Sequence, residues 1–297
     1  MDAMNTDMPP PGASQRSQAA KSELLGRISA ALKDGTIELP SLPDIALEVR
    51  SVAAERDLGV PDLVKVIQQD PGLSAYLIKI SNSAHYQRAK PASTLLQAIS
   101  RLGVPNTRDY ASSYAIRTLF FMRNPSVKAQ LRTIWQRSVY TASVAHVMAG
   151  RCNFAPDRAL LAGLIQDIGA LPIMAQLENY PDLIADPLAL KQLLRDFTGK
   201  ISALILNAWK FDTELVNVGL EREAWLRDKK PEPDLADLIL IARYHTYIGQ
   251  SGGGPLPCLS KMPAFHKLDL GEMEPEEGLA FLKEARAEVE EMRQALV

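Results

Sequence analysis

From Lys21 onward, apolar residues recur three and four positions apart along almost the whole chain, and strict apolar–polar alternation is nearly absent. That period paints one stripe along an α-helix and cannot keep one face of a strand buried. The chain is therefore expected to be all-α, a multi-helix bundle. Helix starts are written in proline and acid: Pro43-Asp44, Pro61-Asp62, Asp70-Pro71, Pro105, Pro156 and Pro187 each place a pre-set φ or a negative charge in a first turn. The periodicity predicts helices over 94–102, closed by Gly103, over 105–122, and over 126–151 without interruption. Further helices are expected over 187–197, 200–209, 213–227, 234–248 and, as a final amphipathic one, 275–297. Residues 1–20, rich in Pro, Ser and Gln, are expected to be disordered.

With 297 residues, 46% of them apolar, the chain can bury a sizeable core, and its net charge of −2 gives no electrostatic case for nucleic acid or an anionic membrane. No run reaches the eighteen or so continuous apolar residues of a membrane span, and the first twenty residues lack the apolar core of a secretory signal. Cys152 and Cys258 stand too far apart in sequence to form a disulfide framework or a thiolate metal cluster, and read as small buried hydrophobes. A reducing, bacterial-type cytoplasm is the expected location. The glycine-rich loop at 251–255 lacks the Gly-Lys-Ser/Thr ending of a phosphate cradle. Trp135, Trp209 and Trp225 read as anchors between helices, since no basic clusters accompany them.

Several phrases recur in a distinctive order: LPSLPDIALEV from Leu39, VIQQDPGLSAYLIKISNSAHY from Val66, LLQAISRLGV from Leu95, IWQRSVYTASVA from Ile134 and GLIQDIGALPI from Gly163. Their spacing resembles the HDOD family, the HD-related output domains of bacterial signalling proteins, over roughly residues 35–230. The marks are the Leu-Pro-x-Leu-Pro opening, Asp70, Pro71, Asn82, Ser83, Gly103, Trp135 and Gly163. The resemblance implies an N-terminal helical sub-bundle, about 21–124, packed on a second one, about 125–230, related to HD-type metal-dependent phosphohydrolases. Residues 231–297 then form a helical extension.

The resemblance also supplies a test. An HD hydrolase holds its metal with a His on one helix, a His-Asp pair on the next and a later Asp, a set that generates hydroxide at neutral pH. Here the first position falls at Arg137, whose guanidinium is permanently protonated and cannot ligate. Gln166 stands where the paired His belongs, and Asp167 alone survives. Relatives with a His near Lys200 or Ile201 have no counterpart here, and Asp237 is a weak candidate for the later acid. Arg137, Gln166, Asp167 and Lys200 are thus read as vestigial positions, with no catalytic residue, no metal and no cofactor assigned. None of the four histidines fills the gap. His146 lies nine residues after Arg137, half a turn round the same helix. His245 reads as a capping or half-buried residue, His85 as a helix-end residue and His266 as part of a loop. A buried Asp167 needs a partner; either Arg137 pairs with it in place of the metal, or it caps the helix starting near Ala170. Asn82 and Ser83 are expected to bond the backbone of the turn that leads to Thr94, or else a ligand.

The function implied is a non-catalytic signal-transduction module that acts through signalling-protein partners and has a possible nucleotide ligand. The alternatives are a divergent HD-type phosphohydrolase acting on a nucleotide or cyclic dinucleotide, and a degenerate pocket that binds a nucleotide without turning it over.

Overall fold

The punctuation residues act where the sequence puts them. A computed structural model describes residues 22–24, 26–31, 34–55, 57–86, 90–121, 125–248, 256–270 and 279–296. After helical residues 22–24 and 26–31 come α1 (Asp44–Ala54), α2 (Val60–Ile67), α3 (Pro71–Ser81), α4 (Leu95–Leu102) and α5 (Val104–Phe121). Asp70 caps α3 by accepting from the Leu73 N–H at 2.9 Å, and Pro71 follows at N1, where its missing N–H costs nothing. Thr94 caps α4 in the same way, and Gly103 ends that helix at φ +80°, a conformation that glycine adopts without strain.

The second half is built on α6 (Pro125–Ala149) and α7 (Pro156–Ile165), which pack side by side; α8 (Ala170–Leu177), the short α9 (Pro181–Ile184), α10 (Pro187–Ala208), α11 (Thr213–Leu220) and α12 (Leu235–Tyr244) follow. After α13 (Pro263–Leu268) and α14 (Ala280–Glu284), the last helix, α15 (Arg286–Leu296), lies along α6. The fold is all-α, with no β-strand among the described residues. A single apolar cluster runs from Leu24 to Leu296, so the N-terminal helices, the central pair and the C-terminal segment share one core. The expected tail at 1–20, the glycine-rich loop at 251–255 and the start of the final helix at 275–278 lie outside the described residues.

Several boundaries differ from the sequence reading, each for a physical reason. Residues 187–208 form one helix rather than two. Gly199, which looks like a breaker, is instead a point of close approach: a Cβ there would sit 2.7 Å from the Leu220 carbonyl oxygen, so the glycine lets α11 pack against α10. The helix expected over 213–227 ends at Leu220, because Glu221 and Arg222 turn inward to ion pairs. The helix expected over 234–248 stops at Tyr244, and the final amphipathic stretch is broken between Glu284 and Arg286. Cys258 is exposed and Cys152 only half buried, so neither is the fully buried hydrophobe expected. The stretch Pro156–Leu177 has a mean hydropathy of 1.5 and passes a length-and-composition test for a membrane span, yet 89% of it is buried inside the body. A turn at 166–169 interrupts it.

The three tryptophans are anchors between helices. Trp135 lies 5.3 Å from Phe120 between ring centroids, Trp209 donates its indole N–H to the Pro40 carbonyl at 2.9 Å, and Trp225 meets Tyr244 edge-on at 6.2 Å.

Candidate functional site

The turn that carries Gln166 and Asp167 is pressed into the core because α7 approaches α6 closely. A Cβ on Gly163 would lie 2.5 Å from the Ala142 Cα, a contact no other residue allows without a shift of backbone. One turn later Gln166 is fully buried and Asp167 is 2% exposed. Ser202 of α10 ties the turn down, accepting from the Gly169 N–H and donating to the Gln166 carbonyl, both at 2.9 Å. The Gln166 amide donates to the Gly163 carbonyl at 3.1 Å.

Both carboxylate oxygens of Asp167 are taken by guanidinium groups. Arg222, in the turn after α11, donates Nε–H to Oδ1, and Arg243 of α12 donates Nη1–H to Oδ2 at 2.6 Å. Arg243 is fully buried and also donates to Glu223 at 2.9 Å and to the Tyr247 hydroxyl at 3.1 Å. Arg222 lies 3.1 Å from Glu223 as well. Burial alone would push the Asp167 carboxyl up. The charges of Arg222 and Arg243, the Arg243 hydrogen bond and the more distant charge of Arg137 outweigh it and hold the group well below the usual carboxylate range. Arg243, which burial alone would lower, is held above the ordinary arginine range by Asp167, Tyr247 and Glu223.

Neither arrangement expected for Asp167 is the one found. Arg137 makes no ion pair with it. Its guanidinium lies 3.4 Å from the Tyr247 hydroxyl and 5.1 Å from that ring's centroid, so it reaches Asp167 only through its field. The helix α8 begins at Ala170 with no side-chain cap. Lys200 is exposed and its neighbour Ile201 is buried, so the position where relatives carry a His presents an apolar side chain to the core. Asp237 is engaged elsewhere. It shares Arg227 with Glu221 and Asp234, and its carboxylate accepts from the Asp234 N–H at 3.1 Å, closing a capping box at the start of α12. Among the motif positions, Asn82 clasps the following turn as expected, donating to the Ala92 carbonyl at 2.9 Å and accepting from its N–H at 2.7 Å.

The partners that sequence reasoning missed are Arg222, Glu223, Arg243 and Tyr247. A signal was present. Glu221-Arg222-Glu223 interrupts an apolar pattern, and Arg243 is a lone charge in the run Leu238–Tyr244. The rule that a buried charge needs a partner applies to Arg243 as much as to Asp167.

A divalent metal does not fit here. Asp167 is the only carboxylate at the HD-like turn, both its oxygens are in use, the guanidiniums bonded to it have no lone pairs to give, and the unpartnered Gln166 Oε1 is a single neutral amide donor. Among the described residues no group of three or more His, Cys, Asp or Glu side chains converges to hold an ion. Ionised and doubly bonded, Asp167 is also a poor base for activating water.

A family model described as the HDOD domain matches residues 39–224. A protein from Shewanella amazonensis, provisionally named a metal-dependent phosphohydrolase, has a similar structure over 94% of this chain and 100% of its own, with a TM-score of 0.77 and 26% identity. An HDOD domain protein of unknown function from Geobacter sulfurreducens is similar over 95% of this chain and 97% of its own, with a TM-score of 0.65 and 21% identity. An uncharacterized protein from Treponema pallidum is 23% identical over 163 residues, a match covering 53% of this chain and 30% of that protein's length.

Proposed function

The chain belongs to the HDOD domain family, and from that premise we propose that it is a non-catalytic signal-transduction module of the cytoplasm that acts by binding signalling proteins. One observation carries the reading. At the position where an HD hydrolase would bind its metal, Asp167 is neutralised by Arg222 and Arg243, and the one unpartnered oxygen beside it, the neutral Gln166 amide Oε1, is too weak a donor to hold an ion or to take a proton from water alone. Two guanidiniums fill the electrostatic role of a dication and tie the turn after α7 to α12, which turns a reactive centre into a buried brace. The exposed surface of the helices is then what a partner protein can read.

A divergent phosphohydrolase is the second reading, favoured by the name of the Shewanella protein and its 26% identity. The two are separated by assaying the full chain, loaded in turn with Mn²⁺, Fe²⁺ and Zn²⁺, against bis(p-nitrophenyl) phosphate and cyclic dinucleotides. The non-catalytic reading expects rates no higher than those of the Asp167→Asn variant. Metal-dependent turnover that the variant abolishes would overturn it. A nucleotide ligand is tested separately, since any molecule that binds only the folded state raises its melting temperature, and does so further as its concentration rises above Kd.

A further inference from the structure

On the side of α6 opposite Arg137 lies a cavity of about 330 Å³, within the range of small-molecule pockets. Its floor is His146 and Val147 of α6 with Gly150 just after it. One wall is the Ser83, Ala84 and His85 turn that follows α3, and the cover is Glu288, Glu291 and Met292 of α15. One Glu291 oxygen is spent on the Ala84 N–H, but the imidazole and the hydroxyl of the lining are not used in this way. His146 is 5% exposed, and neither ring nitrogen makes a hydrogen bond of normal geometry, although the ring faces the Pro156 carbonyl. The Ser83 hydroxyl is buried and equally without a partner. Leaving such groups unmet is costly, so a ligand that meets them recovers that cost. His85 stacks edge-on against His146 with ring centroids 4.6 Å apart, which fixes the imidazole at the cavity floor.

The chemistry of the lining selects the ligand. Carboxylates, a hydroxyl and imidazoles can all accept hydrogen bonds, and no Lys or Arg lines the cavity among the described residues. A phosphate would meet Glu288 and Glu291 with no cation to compensate. A metal ion would need three donors already converging, which the described residues do not offer. We propose that this cavity binds a small organic cation, an amine or amidine with several N–H donors, with Glu288 and Glu291 balancing its charge and Ser83 and His146 accepting its hydrogen bonds. Occupancy then bears on α15, whose Glu291 accepts from the Ala84 N–H at 2.7 Å and whose Gln294 carbonyl accepts from Lys79 at 2.7 Å. A cation held between that helix and α6 tightens the docking of the C-terminal segment. The Asp167 cluster plays no part in this, so the site stands or falls independently of the proposed function.

The test is titration calorimetry and thermal shift of the full chain with putrescine and agmatine, with 1,4-butanediol, inorganic phosphate and Zn²⁺ as controls. The expected result is saturable binding of an amine and no response to the diol or phosphate. Binding should weaken at least about tenfold in the Glu288→Gln/Glu291→Gln double variant, as loss of rim charges predicts. The glutamine oxygen at 291 can still accept from Ala84, so the unliganded melting temperature should stay close to that of the parent. The amine should also move the His146 imidazole NMR signals. No saturable amine binding, binding indifferent to the double variant or to His146, or stoichiometric Zn²⁺ that displaces the amine would each overturn the proposal.

Discussion

Two buried polar regions flank the long helix α6, and they have opposite accounts of their hydrogen bonds. Around Asp167, two arginines, two carboxylates and the Tyr247 hydroxyl bond one another. Around His146, a serine hydroxyl is buried without a partner, and the imidazole, which faces the Pro156 carbonyl, makes no hydrogen bond of normal geometry, beside a cavity. The first region carries the motif that suggests chemistry, yet both oxygens of its carboxylate are consumed in holding the fold. The second carries no catalytic motif and keeps its groups free. What a polar cluster can do depends on how many of its lone pairs and protons remain unclaimed, more than on which residues compose it.

The sharpest way to break this comparison is to remove Asp167. Asp167→Ala leaves two buried guanidiniums sharing the single carboxylate of Glu223, and is expected to cost about 3 kcal/mol in chemical denaturation. A cost below about 1 kcal/mol would mean that water already solvates the arginines. Next in size is acid sensitivity. Burial pushes both His146 and His245 down to about 4. The unfolded chain takes up protons on these rings near pH 6.5 while the folded chain resists, so stability is present above that pH and is lost as pH falls from about 6.5 towards 4. The loss is about 1.4 kcal/mol per pH unit for each ring. Asp167 has a depressed pKa, so its contribution is constant at neutral pH and is lost only below the ordinary carboxylate range. The two regions thus fail in different pH windows. His146→Gln should flatten the slope between pH 6.5 and 4 by about half in urea titrations, and an unchanged slope would show that the ring is hydrated. The smallest effect is expected for Arg137→Met, about 0.5–1 kcal/mol, because that side chain is only half buried and touches the Tyr247 ring rather than Asp167. A loss as large as that of Arg243→Met would restore the direct pairing with Asp167 that the geometry denies.

Helix type and most helix starts were legible because they depend on local chemistry: Asp70 and Thr94 cap, Pro71 and Pro156 fit a first turn, and Gly103 permits a positive φ. That Arg137 and Gln166 are not the imidazole donors of an HD-type set was legible too, since it depends on residue type alone. The identity of Asp167's partners was not. Arg222 and Arg243 lie 55 and 76 residues away in sequence, and nothing local says which of many arginines turns inward. Gly199 misled for a related reason, because a glycine that breaks a helix and one that admits a neighbouring helix look alike until the neighbour is in place. The cavity under α15 depends on how the last helix docks and is written in no motif.

The central claim, that guanidinium groups have replaced the metal of an HD-like centre, is tested most directly by counting metal. The protein is purified after growth with Mn, Fe and Zn, and bound ions per chain are measured by mass spectrometry for the parent, for Asp167→Asn and for Glu288→Gln/Glu291→Gln. The account predicts far less than one ion per chain in all three. One tightly held ion per chain, lost in Asp167→Asn and kept in the double variant, would contradict it.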